Sequence, residues 1–351
     1  MKITVFIVAY NEESFLPRLM EDLRAQTYPH EKIRVTLVDS ASTDRTHEIM
    51  DEFAQEEKWA GVQILSNPAK RISIGCNIAL QDFLAEKEPS DAVVRVDAHA
   101  RIPEDFVEAC VNALMDDENV VGGVRPTICE DDSAWKKTLW MAEESMFGSS
   151  VSKARRETPE TSEKKPREKT YVKAAFHAAL RREVVETVGL YREDLGRTED
   201  NEWFYRIGKN GYKVYRSPEI YSEQYIRPSL GKMLRQKAGN GFWIGRTLGI
   251  VPGCISVYHL VPFAFLAALV TSGILAVCGM PWCLQLLAAV YLSAAVLMAV
   301  YAAFSLQRDG EKVPLFAILL PVIFFCLHIS YGAGTFAGLL SIPFGRRKQD
   351  E

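Results

Sequence analysis

Ile3-Thr4-Val5-Phe6-Ile7-Val8-Ala9, followed at once by Tyr10-Asn11-Glu12, is the stretch on which the fold turns. It is a near-continuous β-branched run, the mark of a strand buried on both faces. Working outward, Asn11-Glu12-Glu13 begins a segment with Phe15, Leu16, Leu19 and Leu23 at helical spacing. Ile33 to Val38 is a second strand, and Asp39 to Asp44 is a polar turn able to cap a helix beginning near Arg45. Gln63-Ile64-Leu65 is a short third strand, residues 74–85 are helical, and Ala92 to Val96 is a fourth strand ending at Asp97. Strands alternating with helices argue for a parallel sheet covered on both faces. Ligands then sit at the carboxyl ends of the strands, which puts the polar residues after each strand under suspicion.

The 351 residues carry a net charge of −4, unevenly spread. Asp, Glu, Lys and Arg are absent from Ile250 to Gln307 and again from Val313 to Gly345. Only Arg308, Asp309, Glu311 and Lys312 interrupt the two stretches. This region holds about three segments of spanning length, roughly 255–279, 284–306 and 314–340, since about 20 apolar residues cross a bilayer. The expected organisation is a cytoplasmic domain over 1–249, a membrane region of about three apolar helices over 250–345, and a tail over 346–351. Met1-Lys2 leads into a strand without the apolar core of a signal peptide, so the domain is expected to stay in the cytoplasm. Arg227, Lys232, Arg235, Lys237 and Arg246 crowd ahead of the first span, and basic flanks favour the cytoplasmic side. Three full crossings would place Arg346, Arg347 and Lys348 outside, against that rule. Either the third stretch does not cross, or the first cluster dominates. The seven cysteines are scattered without a Cys-x-x-Cys pair and read as small apolar fillers, implying neither disulfide nor zinc. A Ser-, Lys-, Arg- and Glu-rich segment at about 148–170 reads as a mobile loop, either a solvated excursion or a lid.

The strand ends carry the candidate chemistry. Ala9, Tyr10 and Glu12 follow the first strand and Asp39 the second, a polar pair suited to a nucleoside. Lys70 and Arg71 precede a helix opened by Gly75 and Asn77, where phosphate binds readily. Asp97, after the apolar fourth strand, needs a partner. That partner is a divalent metal bridging to a diphosphate, or simply Arg95 or Arg101, unless Asp97 does no more than cap the turn. Glu199, Asp200 and Glu202 stand beside Trp203 and Phe204. One of them could act as a base, or the acids could merely answer a helix dipole.

In order, the strand ending Ala9-Tyr10-Asn11-Glu12-Glu13, Val38-Asp39-Ser40-Ala41-Ser42-Thr43-Asp44, Asn67-Pro68, Val96-Asp97-Ala98-His99, Glu199-Asp200-Asn201-Glu202, Gly211-Tyr212 and three apolar stretches resemble the family 2 glycosyltransferases. The likeness is strongest to their membrane-bound, exopolysaccharide-building bacterial members, of the succinoglycan glucosyltransferase type, and extends over essentially the whole chain. It includes His328-Ile329-Ser330-Tyr331-Gly332 in the third apolar stretch. The resemblance implies a GT-A fold, an α/β nucleotide-diphospho-sugar transferase domain, ahead of a transmembrane helical region. It implies that Ala9, Tyr10, Glu12, Asp39, Arg71, Asn77 and Asp97 bind the nucleotide-sugar, and that Asp200 is the general base. Asp97 matches the first aspartate of the family's Asp-x-Asp metal motif, and His99 stands where the second is usual. Mg²⁺ or Mn²⁺ is the expected cofactor, with Asp97 and His99 as its ligands. Gln236-Lys237-Ala238-Gly239-Asn240 departs from the Gln-x-x-Arg-Trp of processive synthases, which implies addition of a single sugar.

The expected activity is inverting transfer of a sugar, from a nucleotide-sugar that is a UDP-sugar by family default, to a lipid-linked saccharide during polysaccharide synthesis. The enzyme is expected in the cell membrane as a multi-pass protein, with no nucleic-acid partner. Rival readings are transfer to polyprenyl phosphate and a non-catalytic membrane assembly subunit.

Overall fold

A computed structural model describes residues 1–129, 133–148, 169–226, 229–308 and 310–345. The chain packs as two compact units, residues 1–126 with 153–225, and residues 127–152 with 226–351. The first unit contains β1 (Ile3–Ala9), α1 (Leu16–Arg24), β2 (Ile33–Asp39), α2 (Thr46–Ala54), β3 (Gly61–Ser66), α3 (Ile72–Leu84), β4 (Ala92–Arg95), β5 (Ala100–Arg101), α4 (Phe106–Met115) and β6 (Val120–Val124). The second unit interrupts it with β7 (Thr127–Ile128) and α5 (Ala134–Glu144). The first unit resumes with β8 (Thr170–Val172), β9 (Phe176–Arg181), α6 (Arg182–Val188), α7 (Glu199–Lys209), β10 (Val214–Tyr221) and β11 (Glu223–Tyr225). The described part of the second unit continues with α8 (Leu230–Thr247), α9 (Val261–Val277), α10 (Trp282–Arg308) and α11 (Leu320–Gly345).

The main sheet has eight strands in the order β3-β2-β1-β4-β9-β6-β10-β8. Its first four strands are parallel, as the alternation of strand and helix requires. The sheet as a whole is mixed, however, because β9 runs antiparallel between β4 and β6. That strand is reached after a long excursion of the chain, so no short crossover dictated its direction. The β1 run is buried on both faces for the reason its composition suggested. Ile3, Val5 and Ile7 pack with α1 and α4 residues such as Leu19 and Phe106, while Phe6 packs with Leu80 and Phe83 of α3. At Gly75 a Cβ would lie 2.6 Å from Val8 Cγ1, so only glycine lets α3 approach β1 this closely.

In the second unit α8 and α11 run parallel in close backbone contact. A Cβ at Gly338 would meet Phe242 O and, at 2.8 Å, Arg246 N; one at Gly334 would meet Ala238 O. From the other helix, Gly241 and Gly245 approach Tyr331 O and Thr335 O. Glycines four residues apart on both helices permit this spacing. Packing therefore groups α5 and α8 with the apolar helices, whereas charge alone divided the chain at 249/250. Among the described residues, three helical segments are long and apolar enough to cross a membrane: Val257–Val277, Trp282–Arg308 and Leu315–Ile342. The loop expected at about 148–170 lies, over 149–168, outside the described residues.

Candidate active site

Parallel register brings the strand ends side by side. Ala9 stands opposite Asp39, and Asp39 opposite Ser66. The ladder continues past the strands, with Ser40 N donating to Ala9 O and Asn67 N to Asp39 O, each at 2.8 Å. The turns after β1 and β2 are knitted together. Thr43 N donates to Asn11 Oδ1 at 2.8 Å, Glu12 N to Thr46 Oγ1 at 2.8 Å, and Glu13 N to Asp44 Oδ2 at 3.2 Å. Asn11 and Ala41 hold φ of +54°, and Lys70 holds +55°. A left-handed alanine costs about 1 kcal/mol or more, and such strain gathers where a backbone must be aimed at something.

Each residue singled out in the sequence has a definite place. Tyr10 is exposed at the β1 end, its ring centre 5.0 Å from Lys70 Nζ. Asp39 is nearly buried, accepting from Ser42 N at 3.1 Å and facing His47 Nδ1 at 3.3 Å. Arg71 precedes α3 and donates to Glu193 O. Asn77 is buried, and its amide is committed. It donates to Tyr191 O and Glu193 Oε1 at 3.0 Å and accepts from Tyr191 N at 2.8 Å. The exposed Arg71 and the buried Asn77 thus both grip the segment that leads into α7.

Asp97 pairs with Arg95, with Nη2 to Oδ1 at 3.0 Å, while Arg101 turns instead to Asp22 at 2.7 Å. His177 of β9 faces the other Asp97 oxygen at 3.6 Å, beyond hydrogen-bond length but close enough to act electrostatically. Burial opposes the Asp97 charge. The Arg95 guanidinium, helped by His177 and His99, overcomes that penalty and holds the carboxyl well below its usual range. Burial pushes His177 the other way, towards its neutral form. His177 has φ of +44° and meets Ser222 Oγ through Nδ1 at 2.8 Å. His99 is held at both ring nitrogens, by Glu12 Oε1 at 3.2 Å and by Gln224 Nε2 at 2.7 Å.

The acidic run forms the first turn of α7 and is sorted by its partners. Glu202 is buried but paired with Arg206 at 2.8 Å, and Arg206 also donates to Leu190 O at 2.7 Å. Trp203 donates to Gly189 O at 2.8 Å and packs against Tyr191 at a tilt, with ring centres 4.3 Å apart. These contacts fix the helix. Glu199 is buried, with Oε2 unpaired among the described residues. Burial, then the Asp200 charge, pushes its carboxyl up to about 8. Burial also raises Asp200, against the pull of Arg95. The geometry offers a protonated glutamate next to an aspartate of raised basicity. It also offers a second carboxylate, Asp97, that stays ionised.

Sequence reasoning missed His177 and Gln224, which carry no motif and come from strands late in the chain, β9 and β11. It left Arg95 as one of two possible partners. Among the described residues no three His, Cys, Asp or Glu side chains converge as a closed metal site.

The family model described as Glycosyl transferase family 2 matches residues 4–189. The succinoglycan biosynthesis protein ExoA of Rhizobium meliloti is 28% identical over 98% of this chain and 96% of its own. A dolichyl N-acetyl-alpha-D-glucosaminyl phosphate 3-beta-D-2,3-diacetamido-2,3-dideoxy-beta-D-glucuronosyltransferase of Methanococcus voltae is 23% identical over 96% of this chain and 97% of its own. Among solved structures, the mannosyltransferase PcManGT from Pyrobaculum calidifontis, in complex with GDP-Man and Mn²⁺, superposes with a TM-score of 0.56. It is 20% identical, over 98% of this chain and 88% of that one, a likeness of fold.

Proposed function

The chain belongs to glycosyl transferase family 2, and from that premise we propose that it moves one sugar from a nucleotide-sugar, by default a UDP-sugar, onto a lipid-linked saccharide at the membrane. The observation that carries this reading is that Asp97 at the β4 end, kept ionised by Arg95, lies close enough to the Glu199–Asp200 turn of α7 for its charge to act there. One site then holds a carboxylate for a metal–diphosphate and another for a hydroxyl proton. A non-catalytic subunit would have no use for either charge arrangement.

In this reading Ala9, Tyr10, Glu12 and Asp39 receive the nucleoside, with Tyr10 as an exposed ring against the base. Asp200 takes the proton of the acceptor hydroxyl as its oxygen bonds to the anomeric carbon. The bond to the nucleoside diphosphate breaks on the opposite face, with inversion. Glu199, keeping its own proton, leaves Asp200 the charged member of the pair, and a base of raised pKa takes a proton more readily. Arg71 and Asn77 position that turn through residues 191–193, and Arg71 lies at the start of α3 where a phosphate would add to its role.

The residues present fit a divalent cation that draws most of its ligands from the diphosphate and water, as Mg²⁺ does with one or two carboxylates. Asp97 would hold it. His99 would join only by giving up Gln224, and its nitrogen would favour Mn²⁺. When bound, the ion supplies positive charge to the leaving diphosphate.

The three apolar segments support a cell-membrane location, with the catalytic unit in the cytoplasm, and a lipid-linked acceptor confined to the same surface would be met more often. The test is a screen of nucleotide-sugars against membrane extract with Mg²⁺ and Mn²⁺. Sugar should appear in lipid-extractable saccharide. Product on polyprenyl phosphate alone would move the acceptor class. No turnover and no donor hydrolysis with any nucleotide-sugar would remove the proposal.

A further inference from the structure

The third apolar segment, Leu315–Ile342, has 28 residues against 21 and 27 for the other two and is close to them in hydropathy, yet its neighbours differ in kind. Its start packs against α5, where Trp135 meets Phe316 at 5.9 Å between ring centres and Lys137 Nζ pairs with Glu311 at 2.9 Å. One face of α11 continues the contact through Ile323, Phe324 and Leu327 against Leu139 and Ala142. From Ser330 onward the same face lies on α8. Ser330 Oγ donates to Leu234 O at 2.7 Å, and Gly334 and Gly338 meet the α8 backbone up to Arg246.

Both escorting helices are charged. Lys232 and Arg235 of α8 are exposed, flanking the very turn that receives Ser330, at the middle of α11. The buried pair Lys237–Glu143, at 3.3 Å, joins α8 to α5 close by. The opposite face of α11 is open and apolar, with Val322 at 60%, Phe336 at 51% and Leu340 at 57% exposure. At about 100° per residue these three share one stripe, roughly opposite Leu327, Gly334 and Gly338.

A crossing orientation would carry exposed Lys232 and Arg235 to the depth where hydrocarbon is thickest, and charges there are costly and rare. A helix lying in the interface plane avoids that, with its apolar face in the acyl region and its other face on charged protein. The α9–α10 hairpin has no such escort. Val270, Ile274, Leu286 and Val290 are each more than half exposed, and neither helix carries a charge before Arg308. It leaves the layer where Gly332 would press a Cβ on Leu266.

We infer that α11 lies along the surface of the lipid bilayer, so that both its ends are on one side and only the α9–α10 hairpin enters the hydrocarbon. This rests on the membrane reading above. The basic residues that follow α11, Arg346, Arg347 and Lys348, then share a side with Lys232 and Arg235. The positive-inside preference is satisfied without exception.

The test uses the full chain in membranes, with one protease site inserted between Gly310 and Glu311 and another after Glu351. Both sites are expected to be cut from the same vesicle face. Cutting from opposite faces overturns the inference. The terminal site alone, in an otherwise unaltered chain with a tag ahead of Met1, decides the matter if the insertion disturbs folding. Cutting on the tag's side supports α11 in the plane, and cutting on the other side overturns it. Release of the whole protein by alkaline carbonate would instead remove the membrane reading itself.

Discussion

Gln224 Nε2 stands 2.7 Å from His99 Nε2. An amide nitrogen has only hydrogens to offer, so the ring accepts there and carries its proton on Nδ1, towards Glu12. A ring held this way cannot ligate a metal until Gln224 lets go. Gln224→Ala should therefore raise activation by Mn²⁺ relative to Mg²⁺ several-fold, and adding His99→Ala should cancel the gain. An unchanged ratio in both variants would take His99 out of the metal shell.

Asp97→Ala should weaken donor binding and remove its dependence on divalent ions. A diphosphate would repel a bare carboxylate, so only a bridging cation makes Asp97 helpful there. Calorimetric titration of the donor in EDTA, Mg²⁺ and Mn²⁺ reads this directly. Equal affinity in EDTA and in metal for the unmodified enzyme would return Asp97 to a structural partner of Arg95.

Asp200→Asn should lower kcat by about 10²–10⁴, the range for loss of a general base, with donor affinity within a few-fold. Shape and hydrogen bonding survive the change, but the basic oxygen does not. Activity within tenfold of the parent would shift the role to Glu199.

Glu199 gives a pH signature. Its folded pKa is about 8 against an ordinary 4.5. Between those values the folded state keeps a proton that the unfolded chain has released, so stability falls as pH rises across that window. Glu199→Gln needs no proton, and should unfold at a higher temperature than the parent at pH 8 and nearly the same temperature at pH 4. It should also leave the acid limb of kcat in place, because that limb belongs to Asp200. A thermal-unfolding difference that does not grow with pH would contradict the assignment.

The α8–α11 contact should be intolerant of side chains. Gly338→Leu forces atoms against Phe242 O and Arg246 N, backbone that cannot yield, and should cost about 1–3 kcal/mol or more of stability. Gly273→Leu, where nothing lies within 4 Å of the added Cβ, should be neutral by the same measure. Thermal unfolding in detergent compares them, and equal midpoints would mean the helices are not held at this spacing.

What the sequence determined by itself was the order of strands and helices around β1, the positions of the strand-end residues, and the apolar C-terminal region. These are legible because they depend on local periodicity and on motifs whose members lie within a few residues of one another. The sequence could not say that β9 would turn antiparallel into the sheet and bring His177 to Asp97. Nor could it tell which of three acids would pair with Arg206, which would be buried with an unpaired oxygen, and which would have its basicity raised by burial. It read α11 as a segment of spanning length and left open whether it crosses fully, because hydropathy measures a helix against lipid alone. Only the tertiary structure set Gly334 and Gly338 against the backbone of a charged helix. A residue's partner in space, and with it the dielectric and charge around its side chain, is a property of the packed chain.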